Sequence, residues 1–227
     1  MSLSRRGPRG GAESHSDLYQ GMNIDPEFRN ASAWSLGQWY EVCFELNERQ
    51  LPIALNTIWR HPRLQGPWQR PEELTEQASR LLEVPRPQPG VYLYGLLRLS
   101  HEIWLACETV PVGVRDGCDL CLALPVTLLR RPLAVHEPIH ESSNPWRKLV
   151  DQVLVEVADA VFASTRFDFA SLGEEAGCVS PNSKTVIAED LERGGLLLSP
   201  ELRTSVRSGA KGIALPSGLL WFPERYA

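Results

Sequence analysis

The strongest chemical pattern in the chain is Cys118-x2-Cys121-x14-His136-x3-His140. Two thiolates and two imidazoles at this spacing are a donor set for tetrahedral zinc. Leu133 stands three residues before the first histidine, where a zinc finger carries a core leucine. A finger also needs both imidazoles on one helix face, a turn apart. Pro132 and Pro138 oppose that, because proline lacks the backbone N–H and collides with the preceding turn. The intervening LALPVTLL is too apolar for an exposed finger. The plainer reading is a buried strand with two small apolar thiols, followed by a loop. Zinc on Cys118, Cys121, His136 and His140 stands as the alternative, and no cofactor is the expectation.

The same stretch spells His136-Glu137-Pro138-Ile139-His140, an H-E-x-x-H string. In a metalloprotease the two histidines bind zinc from successive turns of one helix and the glutamate activates water. Pro138 sits inside the motif and argues against that helix, and Glu156 is only a loose third ligand. Cys107 and His101 are near in sequence, but a nucleophilic thiol needs a lowered pKa and an adjacent base, and neither is indicated. Cys118 and Cys121 read poorly as a redox pair, since they lie in an apolar strand and not at a helix N-terminus. Asp168, Glu174 and Glu175 are acids at a strand end with no visible partner carboxylate. There is no G-x-x-x-x-G-K, no G-x-G-x-x-G and no G-x-S-x-G.

Three tryptophans stand in loops beside glycine or proline: Trp34, Trp68 and Trp221. Such residues either cover a core or anchor an interface, and they are the interface candidates.

The elements that must carry these residues follow from periodicity. QWYEVCFEL at 38–46 alternates strictly and predicts a strand with Tyr40, Val42, Phe44 and Leu46 facing the core. Cys43 then lies on the other face with two glutamates. Leu51, Leu55, Ile58 and Trp59 predict a helix over 50–60, ended by His61-Pro62. A second helix is expected after Pro71, ending near Leu82, and then the stiff VPRPQPG connection. VYLYGLLRLS, EIWLACETVPV and CDLCLALPVTLL predict three successive strands, the last two joined by a tight Asp-Gly turn. Pro125 marks an edge or bulge in the third. Residues 144–163 predict a long helix, capped by Asn144, with Trp146, Leu149, Val150, Val153, Leu154, Val157 and Val161 on one face. A short strand follows at 166–172, a short helix or turn near 185–192, and then two Gly- and Pro-rich apolar pieces that read as short strands or packed loops sealing one end of the sheet.

This order implies an α+β fold: a two-layer sandwich with a mostly antiparallel sheet of about five strands, helices on one face and an irregular C-terminal cover. The expected organisation is a leader over 1–35, a main domain over 36–175, and an extension over 176–227 packed on the same domain.

Composition sets the outer bounds. The chain has 227 residues, 43% hydrophobic and 22% charged, which suits an ordinary globular core. A net charge of −5 argues against a general nucleic-acid binder. Five cysteines, an odd count with no signal-like apolar run at the start, point to reduced thiols in the cytoplasm. No stretch approaches the roughly 20 apolar residues of a membrane span. The functional expectation is a non-enzymatic interaction module, an accessory, adaptor or immunity/inhibitor-type protein of bacterial kind, with a protein partner and no nucleic acid or membrane. Small-molecule binding is a further alternative.

Overall fold

The structure is a computed structural model that describes residues 24–35, 37–74, 84–114, 117–137, 139, 141–176 and 182–224. In chain order the elements are a 3-10 turn (Pro26–Arg29), α1 (Ala31–Trp34), β1 (Trp39–Leu46), α2 (Gln50–Arg60), β2 (Leu64–Trp68), a second 3-10 turn (Pro71–Glu73), β3 (Leu93–Arg98), β4 (Trp104–Val114) and β5 (Gly117–Pro125). Then come α3 (Val126–Leu129), α4 (Arg147–Thr165), β6 (Phe169–Glu174), α5 (Ala188–Arg193), β7 (Leu196–Leu198), α6 (Pro200–Ser205), β8 (Ile213–Ala214) and β9 (Leu220–Phe222). The helix expected from Pro71 to Leu82 lies mostly outside the described residues.

The α+β class holds, but the sheet is larger than expected. Among the described residues it has nine strands in the order β2-β3-β4-β5-β1-β6-β7-β9-β8, not about five. Every pairing is antiparallel. Of the extra strands, β2 is not read from the sequence, while β7, β8 and β9 fall in the two apolar pieces read as short strands or packed loops. β7, β8 and β9 are too short for alternation to register, and β2 carries Gly66-Pro67. A proline is compatible with β2 because that strand lies at the sheet edge, where a ladder hydrogen bond is dispensable.

Helices cover both faces, which corrects the one-sided sandwich. α2 and α4 pack on the face that carries Tyr40, Val42, Phe44 and Leu46 and form the main core there. Side-chain alternation sends every second residue of each strand to the opposite face. There two smaller apolar clusters form. One gathers Phe28, Trp34, Trp68, Leu74, Leu96 and Leu128 at the β2–β4 end. The other gathers Phe169, Leu191, Leu196, Leu198, Val206 and Phe222 at the β6–β9 end. Between them lies the central stretch of β4, β5 and β1.

α2 begins where Asn47 accepts from the N–H groups of Arg49 (3.0 Å) and Gln50 (3.1 Å), satisfying two donors that the first turn leaves open. Its Trp59 is fully buried and donates its indole N–H to the Thr109 hydroxyl at 3.0 Å. α4 starts later than expected, at Arg147, and Asn144 does not cap it with its side chain. That amide is spent on the preceding loop, accepting from His136 N (2.7 Å) and donating to His136 O (2.8 Å). Leu149, expected on the buried face of α4, is 54% exposed. No helix among the described residues is long and apolar enough to cross a membrane.

Candidate functional site

The alternative zinc quartet of Cys118, Cys121, His136 and His140 is not brought together by the described residues. Three residues apart on a strand, Cys118 and Cys121 point to opposite faces. Cys118 faces Leu46 and joins the helix-side core, while Cys121 faces Cys43 on the other side. The His136 side chain is exposed on the loop before α4, and His140 and Pro138 lie outside the described residues. Glu156 is engaged by Arg63 at 3.0 Å. Cys107 is fully buried in the main core, where burial and then the charge of Glu108 push its thiol well up, and His101 is exposed. Of the interface candidates, Trp34 and Trp68 are buried in the cluster at the β2–β4 end, and Trp221 is half-buried against the main core.

What the sheet register does assemble is a different set. Three cross-strand rows run side by side on the face opposite α2 and α4. The first aligns Tyr94, Glu108, Ala123 and Glu41. The second aligns Val110, Cys121, Cys43 and Ser171. The third aligns Val112, Asp119 and Glu45. Four carboxylates and two sulfurs thus share one patch. Glu41 and Glu108 are buried, at 7% and 2% exposure, while Glu45 and Asp119 are half-buried toward the rim.

The two sulfurs are joined. Cys43 and Cys121 stand directly opposite on β1 and β5, their Cα atoms 4.1 Å apart, and form a disulfide. This departs from the expectation of reduced thiols. Its cause is the register, which sets residues 78 positions apart in sequence face to face. Cys107 and Cys118 remain thiols. The nearest ligand-type oxygen belongs to Glu41: its carboxylate and the two sulfurs all lie within 4.8 Å of one another.

The electrostatics of the patch are unfavourable by construction. Like charges directly opposite on neighbouring strands destabilise a sheet, and Asp119 faces Glu45. Burial and then the Glu45 charge push Asp119 up from its ordinary value. Glu45 finds compensation in Ser183, whose backbone N–H (2.8 Å) and hydroxyl (2.6 Å) both donate to it. Glu108 is the extreme case: burial, then the charge of Glu41, push its carboxyl up to about 8.

A pH dependence follows from Glu108. Its folded pKa lies above the unfolded value of about 4.3, so the folded chain holds this proton where the unfolded chain releases it. The stability it contributes is complete below the unfolded value and is lost as pH rises through about 8. Urea unfolding is expected to give a lower free energy at pH 9 than at pH 5, with a Glu108 share of a few kcal/mol. Glu108→Gln should remove most of that slope. An unchanged slope in the variant would show that Glu108 ionises normally.

A second polar cluster lies at the helix side. Arg147, 2% exposed, donates to the Tyr40 hydroxyl (2.7 Å), to Ile139 O (3.1 Å) and to the Glu224 carboxylate, while the Tyr40 hydroxyl donates to Asp151. Burial opposes the Arg147 charge, but Tyr40, Glu224 and Asp151 outweigh it and hold the guanidinium more strongly protonated than usual. Burial also pushes Asp151 up to about 6, although the Tyr40 hydrogen bond and Arg147 pull it down. This network ties β1, α4, the loop before α4 and the C-terminal segment together, and every strong donor in it points at a protein acceptor.

The Glu41–Glu108 patch was only partly visible in sequence. Alternation in β1 places Glu41, Cys43 and Glu45 together. The same alternation in EIWLACETVPV puts Glu108 opposite in facing to Cys107, a signal that could have marked it. Comparison with known proteins adds nothing further: no family model matches the chain, and no curated protein and no solved structure matches it.

Proposed function

We propose that this chain is a cytoplasmic, non-enzymatic interaction module of accessory, adaptor or inhibitor type, docking a basic segment of a protein partner on the sheet face opposite α2 and α4. The observation that carries the reading is the rim of that face. Tyr92 (44% exposed), Val91 (42%) and Val112 (43%) are large apolar residues left to solvent where β3 begins and β4 ends. The Val112 row continues directly into Asp119 and Glu45. Apolar anchors beside carboxylates that repel one another suit a partner carrying cationic side chains, which would relieve the repulsion and cover the anchors.

The test is affinity capture from the native cell with mass spectrometry, using the wild-type chain and a Tyr92→Ser/Val112→Lys variant. Both positions are exposed, so the fold tolerates the change. The variant should recover the wild-type partner at least about tenfold less well, since the loss of two anchors and the added positive charge together remove more than about 1.4 kcal/mol. Recovery by the wild type should also fall with added salt. Equal recovery by both chains would reject this face as the docking surface.

A further inference from the structure

The buried centre of the same face supports a second, chemically distinct role. We propose that Cys43, Cys121 and Glu41 form a redox-gated site for a zinc-class divalent cation: closed to metal as the disulfide, open to it as the dithiol.

Two thiolates and a carboxylate are ligands that zinc-class ions take, and three protein ligands with an open fourth position are a recurrent arrangement. The three donor atoms already lie within 4.8 Å of one another. Donors around one tetrahedral zinc-class ion stand roughly 3.3–3.8 Å apart, from bond lengths of about 2.0–2.3 Å. Once the sulfur–sulfur bond of about 2.05 Å is broken, the sulfurs must part by about 1.7 Å to reach that spacing. Directly opposed strand positions leave room for that.

The surroundings agree. Cys43 and Cys121 are each 5% exposed and Glu41 is 7% exposed, so an ion there would be held away from bulk water. Ala123, opposite Glu41, contributes only a methyl to this row. Beyond it in the same row stands Glu108, a second buried carboxyl on this face. A dication would also neutralise the crowding of buried acid at this point.

The chemistry balances in two steps. A thiol reductant breaks the Cys43–Cys121 bond: two electrons pass to the sulfurs, each sulfur takes a proton, and the reductant is oxidised to its own disulfide. The metal ion then displaces both thiol protons and bonds to the two thiolates and the Glu41 carboxylate. A disulfide oxidant reverses the order: it takes two electrons from the thiolates and two protons from solvent, leaves as two thiols, and the ion is released as the Cys43–Cys121 bond re-forms.

The test uses the full-length chain and cobalt(II) as the spectroscopic probe. The chain is reduced without oxygen by a water-soluble phosphine, which becomes the phosphine oxide, and the excess is removed before titration. The reduced chain should take up one equivalent of cobalt, with a near-ultraviolet thiolate-to-metal charge-transfer band that zinc abolishes. The oxidised chain should show none. Cys43→Ser should lose the band and Cys118→Ser should keep it.

Glu41→Gln retains both thiols and guards against a folding failure of the cysteine variant. It should weaken cobalt binding more than about tenfold, because even outer-sphere partners are worth that much. No band in the reduced wild type, a band that survives Cys43→Ser, or one that depends on Cys118 would each overturn the proposal. None of these readouts involves Tyr92 or Val112, so the docking reading stands or falls separately.

Discussion

Replacing Arg147 by methionine should lower the unfolding free energy by about 3–5 kcal/mol, the usual consequence of removing one partner from a buried charge cluster. The reason is what the guanidinium leaves behind. Tyr40 is fully buried, Asp151 and Glu224 are partly so, and Arg147 is the cation that all three share. Methionine fills the space but leaves the two carboxylates beside one another without a counter-charge. Asp151, already raised to about 6, should then rise further. Urea unfolding at pH 7 reads the loss. Arg147→Lys should recover less than half of it, because an ammonium cannot reproduce the separate bonds to Tyr40, Ile139 and Glu224. A loss under about 1 kcal/mol in the methionine variant would show that the cluster contributes no net stability.

Gly95→Ala is the second large effect, and its origin is steric. Trp59 lies flat against the backbone of Gly95 in β3. A Cβ at that position would sit 2.4 Å from the Trp59 ring and 2.5 Å from the carbonyl oxygen of Gln65. Neither neighbour has room. The ring is fully buried and held by its hydrogen bond to Thr109, and the carbonyl belongs to the paired strand β2. Overpacking of this kind costs about 3 kcal/mol, with more where backbone must move. The thermal midpoint should fall, and hydrogen exchange should accelerate first in β2 and β3. Gly90→Ala is the matched control, since a Cβ there meets nothing within 4 Å. Its positive φ of 75° adds only local strain. Similar destabilisation by the two variants would mean that the Trp59 contact is not the cause.

These effects mark the limits of reading the chain from sequence. Strict alternation in WYEVCFEL set the facing of β1, including Cys43 between two glutamates. The same rule shows why the Cys118/Cys121 spacing misleads. Three residues apart is a chelating distance on a turn and a diverging one on a strand, so the motif dissolves once β5 forms. The true neighbour of Cys121 was hidden because it comes from β1, and nothing local announces which strands will pair. Glu108 was legible as an acid in an apolar strand, but its proximity to Glu41 depends on β5 inserting between β4 and β1. For Trp34 and Trp68 the sequence left core cover and interface anchor both open, and both are buried. They are covered by segments far apart in sequence, Phe28 from the N-terminal turn and Leu96 from β3 among them. Nothing local in the sequence marks Arg147 for burial, which follows from the C-terminal segment folding back with Glu224.

The docking face and the metal proposal both require that β1 and β5 pair in the register that sets Cys43 against Cys121. Mass-spectrometric mapping of thiol linkages tests this most directly, on full-length chain purified without reductant and blocked with an alkylating agent before digestion. The structure predicts one cross-linked species joining the Cys43 peptide to the Cys121 peptide, while Cys107 and Cys118 are alkylated only after unfolding. A linkage between Cys118 and Cys121, or a folded chain in which Cys43 is bonded to any other cysteine, would contradict the register and with it the whole face.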